Sequence, residues 1–307
     1  NMRVFLGDFI SGDEINVSLI IENAYGFTVE VEIDNFIIHN TISEISFIDI
    51  VNGKLTVDNS NINADVQLYE GAYNPVNISS SNFQNIYTDE DNSYIDIHKS
   101  NLVSVFSKGN NSFVIVDSST VLNSDYNGIL TVGNNSYVKL SSSTIANSFI
   151  DGLKTEGDSS YVEIFNSTIS NNGGNGVISS GTNSDISSSY SFITLNTSSG
   201  LYATSSDINV DYSQIGYNGN KGIHSNDRVT AIFTNFSFNT SHGVYSNYMS
   251  SIENSILWGN NNGNDQASGS NSILFSSIQG LSTFGTSAYN ANCIDGIPLF
   301  VDSAQHL

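Results

Sequence analysis

A histidine and two aspartates in the first half of the chain are spaced in a way that could support proton transfer. Asp96 and His98 alternate on one predicted strand, and Asp117 follows His98 by 19 residues, which puts it beside His98 on the next turn of a repeat described below. A histidine flanked by carboxylates has the geometry of a general base. Cross-strand attraction that stabilises a sheet explains the same pairing. Asp96, His98 and Asp117 are the candidate catalytic residues if the chain is an enzyme.

Three acidic residues near the N-terminus form the candidate metal site. Glu30 and Glu32 share one face of a predicted strand, and the repeat puts Asp58 beside Glu32 on the following turn. Adjacent carboxylates repel one another, and a calcium ion, which takes about 6–8 oxygen ligands, would remove that repulsion. Without a metal they are solvated acids on an exposed sheet. Ca²⁺ is the candidate cofactor, and no other cofactor is predicted.

An outward-facing row that becomes aromatic along the chain is the candidate ligand site. Its members stand two residues after a repeated glycine: Leu130, Lys154, Ile178, Tyr202, His224 and Tyr245. The last three rings would stack about 5 Å apart on successive turns. Aromatic platforms hold sugar rings, although aromatic ladders also stabilise β-solenoids by stacking alone. Tyr202, His224 and Tyr245 are therefore the candidate glycan-binding residues.

A short repeat sets the positions of all three clusters. Apolar anchor residues recur every 19 to 26 positions, and a small hydroxylated residue stands two positions before most of them. The anchors are Phe36, Ile62, Phe83, Leu102, Val121, Ile145, Ile169, Ile193, Ile215, Phe236, Ile256 and Ile278. Self-similarity at such a period predicts a solenoid, in which each unit buries its apolar face against its neighbours.

The pattern inside one unit predicts strands rather than helices. Apolar pairs such as Val114/Val116 precede most anchors by seven and five positions, and this alternation of β-branched residues is typical of a half-buried strand. Sustained helical periodicity is absent, and the units hold too few leucines for leucine-rich repeats. The sequence predicts an all-β, single-stranded parallel β-helix of about twelve coils. We expect an N-terminal coil or cap over 1–27, the repeats over 28–280 and a C-terminal cap over 281–307.

Composition excludes some classes of partner. The net charge is −22 because only eight Lys and Arg residues balance 30 Asp and Glu residues. Such a surface repels phosphate backbones, so nucleic-acid binding is not predicted. No apolar run reaches the ~18 residues of a membrane helix, so membrane insertion is not predicted either. Cys293 is the only cysteine, which excludes an intrachain disulfide, and it is expected to be buried.

The last turns of the repeat resemble a known family. Residues 254–260 (NSILWGN), residues 275–280 (FSSIQG) and the segment ending Pro298-Leu299-Phe300-Val301-Asp302 resemble the closing coils of secreted bacterial right-handed β-helix repeat proteins. These proteins belong to the pectate-lyase-like superfamily. The resemblance implies a right-handed helix with three sheets. It also implies functions that range from polysaccharide lyases, hydrolases and epimerases to surface modules without chemistry.

Two functions from different classes follow. The first is a non-catalytic extracellular β-helix module that acts as a rigid spacer, adhesin segment or surface-assembly subunit and binds a glycan. Its expected partners are a glycan, another surface protein or further copies of the chain, and its expected location is extracellular or at the cell surface. The alternative is a polysaccharide lyase or glycoside hydrolase of the same fold. Most coils hold only 19–24 residues, which leaves little chain for the long loops that build a catalytic cleft and favours the module.

Overall fold

The computed structural model describes residues 28–31, 35–39, 42–43, 47–51, 54–62, 65–69, 75–263, 266–281 and 289–298, and the statements below concern these residues. They form a parallel β-solenoid of about ten turns with almost no helix. The predicted architecture is confirmed, and the predicted count of about twelve coils is approximate. The expected N-terminal cap, 1–27, lies outside the described residues. The described residues contain no helix of the length and apolar character that a membrane span requires.

Each turn passes through a first, a middle and a third sheet, with a corner between successive sheets. The first sheet contains Asn35–His39, Lys54–Asp58, Pro75–Ser79, Tyr94–His98, Phe113–Asp117, Tyr137–Ser141, Tyr161–Phe165, Ile186–Ser189, Ile208–Asp211, Val229–Ile232 and Tyr289–Ala291. The third sheet contains Thr28–Val31, Phe47–Val51, Asp65–Tyr69, Asn85–Thr88, Ser104–Ser107, Ile129–Thr131, Leu153–Thr155, Val177–Thr182, Leu201–Ser205 and Ile223–Ser225. Two longer strands, Val244–Glu253 and Ala267–Leu274, run through both sheets and join them into one set of 23 strands.

The middle sheet consists of very short strands between the two sharpest corners. A two-stranded part contains Ile42–Ser43 and Asn61–Ile62. The nine-stranded part contains Asn101–Leu102, Thr120–Leu122, Thr144–Ala146, Thr168–Ser170, Phe192–Thr194, Gln214–Gly216, Asn235–Ser237, Ile256–Trp258 and Ser277–Ile278. One 3-10 turn, Asn260–Gly263, follows the middle sheet near the C-terminal end. All of these strands pair in parallel with the equivalent strands of adjacent turns.

The core is a stack of apolar layers, one for each turn. Ile145, Ile169 and Ile193 lie in register on successive turns and are fully buried. The predicted apolar pairs also point inward, because Val114 and Val116 are fully buried and lie beside Val138 and Leu140 of the next turn. Each layer contacts only the layers above and below it, as expected for a solenoid.

The hydroxylated residue before each anchor explains why the repeat keeps its register. Along the stack, the backbone N–H of one serine donates to the Oγ of the serine one turn later, as from Ser143 to Ser167 and from Ser167 to Ser191, both at 3.1 Å. The Oγ of Ser167 itself donates to the carbonyl of Phe165 at 2.7 Å. The buried corner therefore satisfies its polar groups without water, and a small hydroxylated side chain meets that need.

Asparagines form a second polar ladder after the anchors. The side chains of Asn172, Asn196, Asn218, Asn239 and Asn260 are buried, and each Nδ2 donates to the Oδ1 of the next at 2.9–3.1 Å. These asparagines thus form a continuous hydrogen-bonded ladder along one corner of the solenoid. Gln266 ends it by accepting a bond from Asn260 at 2.8 Å. The earlier asparagines at 123, 147 and 171 are one position away from the ladder, at the exposed corner.

Two anchor assignments are wrong. Leu257, not Ile256, lies between Phe236 and Ile278 in register and is fully buried. Ser255, two positions before Leu257, continues the serine ladder there, so this anchor also follows a hydroxylated residue. At the other end, Phe36 pairs with Leu55 in the first sheet, and Ser43 is the residue beside Ile62. Cys293 is only partly buried, although it packs against the core and its Sγ contacts the carbonyl of Ile273 at 3.3 Å.

Candidate functional site

The predicted aromatic row lies on the outer face of the third sheet. Tyr202, His224 and Tyr245 are direct neighbours on successive turns, as expected. The rings of Tyr202 and His224 are stacked with centroids 4.5 Å apart and an angle of 14° between their planes. The ring of Tyr245 lies 5.1 Å from His224 and stands at 84° to it. The row is therefore two stacked rings followed by one turned ring, all half-buried.

Two further side chains complete this group, hereafter the aromatic row. The Lys221 ammonium lies 4.4 Å from the centroid of the Tyr245 ring, in the geometry of a cation–π contact. The ring of His242 lies 5.5 Å from Tyr245, and its Nδ1 is 2.9 Å from the Oγ of Ser241. Each of them directly precedes a repeated glycine, Lys221 before Gly222 and His242 before Gly243, at the start of a third-sheet strand.

Burial and a neighbouring positive charge keep His224 of the aromatic row neutral. Burial, with a smaller contribution from the positive charge of Lys221, lowers the pKa of His224 from its ordinary 6.5 to about 4. Burial also lowers the pKa of Lys221. At neutral pH, Tyr202, His224 and Tyr245 thus present uncharged rings with hydroxyl and imidazole groups that can both donate and accept hydrogen bonds.

The row continues farther along the third sheet than the sequence pattern indicated. On the N-terminal side it passes through Ile178, Lys154 and Leu130 to Phe106 and Tyr87, whose ring centroids are 4.8 Å apart. Lys108 bonds to the hydroxyl of Tyr87, and its ammonium lies 3.1 Å from Asp89. The sequence pattern did not indicate Tyr87 and Phe106, because no glycine stands two residues before them.

The candidate catalytic residues come together on the outer face of the first sheet. His98 lies beside Asp117 in register, and its Nδ1 is 2.7 Å from Asp117 Oδ2. Asp96 lies two residues before His98 on the same strand, and burial raises the pKa of its carboxyl, partly offset by His98. The adjacency predicted for Asp96, His98 and Asp117 is confirmed, while their catalytic role stays a prediction.

The same face carries a second titratable group that the sequence reading missed. Tyr137 donates a hydrogen bond to Glu163, and the ammonium of Lys139 lies 2.9 Å from Glu163. The Tyr137 bond, which outweighs the effect of burial, holds the pKa of Glu163 below its usual value, and Lys139 adds to this. Burial and the same bond to Glu163 raise the pKa of Tyr137. No motif marks these residues, because Tyr137 and Glu163 meet only through the stacking of adjacent turns.

The register that motivated the calcium site is wrong. Asp58 lies beside His39 on one turn and Ser79 on the next, and its Oδ1 accepts a bond from the Ser79 hydroxyl at 2.7 Å. Glu30 belongs to the third sheet, beside Asp49, and Glu32 lies outside the described residues. Within the described part of the chain, no group of three or more His, Cys, Asp or Glu side chains is arranged to hold a metal ion.

Comparison with solved structures agrees with this architecture. The chain is similar to the periplasmic alginate epimerase AlgG, with a TM-score of 0.59 and 11% identity over 87% of this chain and 85% of that one. It also matches the Dettilon tailspike protein gp208 (TM-score 0.45, 12% identity, 87% of this chain and 61% of that one). A third match is the A-module of the Azotobacter vinelandii mannuronan C-5 epimerase AlgE6 (TM-score 0.42, 13% identity, 82% and 91%).

No family model and no curated protein matches the sequence. At 11% identity, the likeness to the alginate epimerase concerns the fold alone. Together with the parallel register of the three sheets, it identifies the chain as a right-handed parallel β-helix.

Proposed function

We propose that this chain is a non-catalytic β-helix module at the cell surface or outside the cell, and that its aromatic row binds an uncharged glycan. The observation that carries the proposal is the row itself. Tyr202, His224 and Tyr245 offer three adjoining rings that are uncharged at neutral pH on the outer face of a rigid sheet.

The chemistry of the aromatic row suits a sugar. The apolar face of a sugar ring packs against aromatic rings, and its hydroxyl groups need nearby donors and acceptors. The 84° angle between His224 and Tyr245 forms a corner in which both ring planes can contact one ligand. Phenol and imidazole groups, with the ammonium of Lys221 next to them, supply the hydrogen bonds.

Charge argues for an uncharged rather than an acidic glycan. The chain carries a net charge of −22, which repels polyuronates at long range. Lys221 is a single cation, so it offsets little of a net charge of −22. A neutral chain of sugars avoids the repulsion and still uses the rings and hydrogen-bonding groups.

The fold supports the role of a rigid carrier. The serine and asparagine ladders hold each turn to the next through buried hydrogen bonds, so the rows on the outer faces keep fixed spacings. An extracellular or envelope location is consistent with the periplasmic location that the name of the similar alginate epimerase gives.

Binding of neutral oligosaccharides tests the proposal. We expect a panel screen followed by calorimetric titration to find a ligand, and Tyr202→Ala and Tyr245→Ala each to weaken its affinity about tenfold or more, as for loss of an aromatic anchor. Tyr126→Ala is the matched control, because Tyr126 is 73% exposed and lies outside the aromatic row. If no neutral glycan binds, or if all three variants bind equally well, the proposal is wrong.

A polysaccharide lyase or glycoside hydrolase is the second candidate, and the first sheet favours it. Asp117 orients His98 through Nδ1, which leaves Nε2 for proton transfer, and Tyr137 and Glu163 add a hydrogen-bonded pair on the same face. A screen against pectate, alginate and related uronates, with and without Ca²⁺, separates the candidates. Release of unsaturated or reducing ends that disappears in His98→Gln would establish the enzyme and contradict the non-catalytic module.

A further inference from the structure

The backbone has a positive φ at corners of the solenoid, and three consecutive turns place residues there that this conformation disfavours. At the corner between the first and middle sheets, the equivalent residue of every described turn has a positive φ of 45–56°. In the N-terminal turns these residues are Asn59, Ser80, Lys99, Ser118, Ser142 and Asn166. After the middle strand, the exposed corner residues Asn123, Asn147 and Asn171 have φ values of 57–60°. Asparagine tolerates this left-handed conformation better than most residues, so the asparagines at these corners follow from the backbone, and the other residues there are serines and one lysine.

Three consecutive turns replace these residues with bulky apolar ones at both corners. Tyr190, Tyr212 and Phe233 occupy the first corner with φ values of 46–53°, and Leu195, Tyr217 and Phe238 occupy the second with φ values of 56–60°. Positive φ is uncommon and unfavourable for such side chains. Folding does not require them, since Asn166 and Asn254 form the same first corner in nearby turns. These six residues are hereafter the corner patch.

The side chains of the corner patch face solvent in two ladders. Tyr190, Tyr212 and Phe233 stack with centroids 4.9 Å apart, and Tyr217 stacks on Phe238 at 5.0 Å. Five of the six side chains are 41–49% exposed, as is Phe192 between the ladders at 44%. Because the rings cover each other's faces, ring edges form the outer surface.

The corner patch is also free of charge. Residues 190–195, 212–217 and 233–238 contain no Asp, Glu, Lys, Arg or His, in a chain whose net charge is −22. The nearest acids, Asp211 and Glu253, stand at its margin. Two copies of so acidic a protein repel one another across most orientations. Contact between two corner patches brings together uncharged surfaces and buries exposed rings of both copies.

The size of the surface sets the strength of such a contact. From Tyr190 to Phe233 the corner patch spans two steps between turns, or about 10 Å, and the six residues of each turn span about 17 Å. Two such faces bury well under the ~1,200 Å² of a stable interface, so the contact is weak and reversible. In such a dimer a two-fold axis would pass through the contact, so that both copies would contribute the same residues.

We propose that the corner patch is the surface through which two copies of this chain associate side by side. The proposal is independent of glycan binding, because the corner patch lies around the middle sheet and the aromatic row on the third sheet.

Analytical ultracentrifugation over micromolar to millimolar concentrations tests the association. We expect a reversible monomer–dimer equilibrium whose dissociation constant falls when salt is added, because salt screens the repulsion between the acidic copies. Tyr190→Asn, Tyr212→Asn and Phe233→Asn, combined in one variant, should weaken dimerisation about tenfold or more. The variant should stay folded, because Asn occupies this corner at Asn166 and Asn254, and circular dichroism checks this.

Tyr126→Asn is the control, since it removes a still more exposed aromatic ring outside the corner patch and should leave dimerisation unchanged. A chain that stays monomeric at every concentration and salt level overturns the proposal. So does a dimer that the triple variant does not weaken, or a monomeric chain whose triple variant loses binding to a glycan or to another protein.

Discussion

The buried asparagine ladder gives a quantitative test of how the turns are held together. Asn218 is fully buried, and its Nδ2 donates to the carbonyl of Ile193 at 3.1 Å and to Oδ1 of Asn239 at 2.9 Å. Its Oδ1 accepts bonds from the backbone N–H of Asn196 at 3.2 Å and from Asn196 Nδ2 at 3.1 Å. Asn218→Ala therefore removes four hydrogen bonds and leaves buried donors on Asn196 without an acceptor.

The expected loss follows from these contacts. At about 1 kcal/mol net for each bond, Asn218→Ala should lower the free energy of unfolding by about 4 kcal/mol. Asn171→Ala is the matched control, because Asn171 is exposed, has a φ of 57°, and lies next to the ladder residue Asn172. Because Asn171→Ala affects only the left-handed backbone, the free energy of unfolding should fall by about 1 kcal/mol.

Urea denaturation followed by far-ultraviolet circular dichroism measures both variants, with stability taken by linear extrapolation. The free energies of unfolding of the two variants are expected to differ by about 3 kcal/mol, because only Asn218→Ala interrupts the ladder. If both variants lost the same free energy of unfolding, the hydrogen bonds of the ladder would not hold the turns together, contrary to this prediction.

Three further predictions concern the core, the aromatic row and the acidic residues. Ile169→Asp buries a charge between Ile145 and Ile193 and should cost about 4 kcal/mol or more; an unchanged melting temperature would contradict its inward position. The folded pKa of His224, about 4, lies below its ordinary 6.5, so between these values the unfolded chain binds a proton that the folded chain does not. Stability present above pH 6.5 should thus fall as the pH drops to 4, by up to about 2 kcal/mol once the shift is discounted for the half-exposed ring, and melting curves of His224→Gln should lack this component. Asp58 pairs with Ser79 rather than with Glu32, so calorimetric titration with Ca²⁺ should give the same result for the wild type and Asp58→Asn; a loss of binding in the variant would restore the calcium site.

The sequence predicted the stack because folding depends on period more than on residue identity. Ile145, Ile169 and Ile193 are separated by one turn each, and they are fully buried, so a polar side chain among them would be costly. The error at Ile256 arose because Ile256 and Leu257 are both apolar, and only the serine ladder shows which of them faces inward. The error at Phe36 has a different cause: in that turn Ser43 stands beside Ile62, so no apolar anchor marks the position.

The candidate sites were predictable where one residue type repeated at a fixed offset. The glycine two residues before Tyr202, His224 and Tyr245 located the aromatic row, but it is missing before Tyr87 and Phe106. The corner patch could not be predicted, because asparagine and glycine are the usual signals of positive φ and bulky rings indicate the opposite. The pairing of Tyr137 with Glu163 depends on side-chain reach between turns, which spacing alone does not give.

A crystal structure of the chain soaked with the tightest-binding neutral oligosaccharide tests the central claim most directly. We expect an intact sugar in contact with Tyr202, His224 and Tyr245, with its hydroxyl groups bonded to these side chains and to Lys221. A sugar bound instead on the first sheet beside Asp96, His98 and Asp117, or a cleaved product there, would contradict the non-catalytic module and favour a polysaccharide-active enzyme.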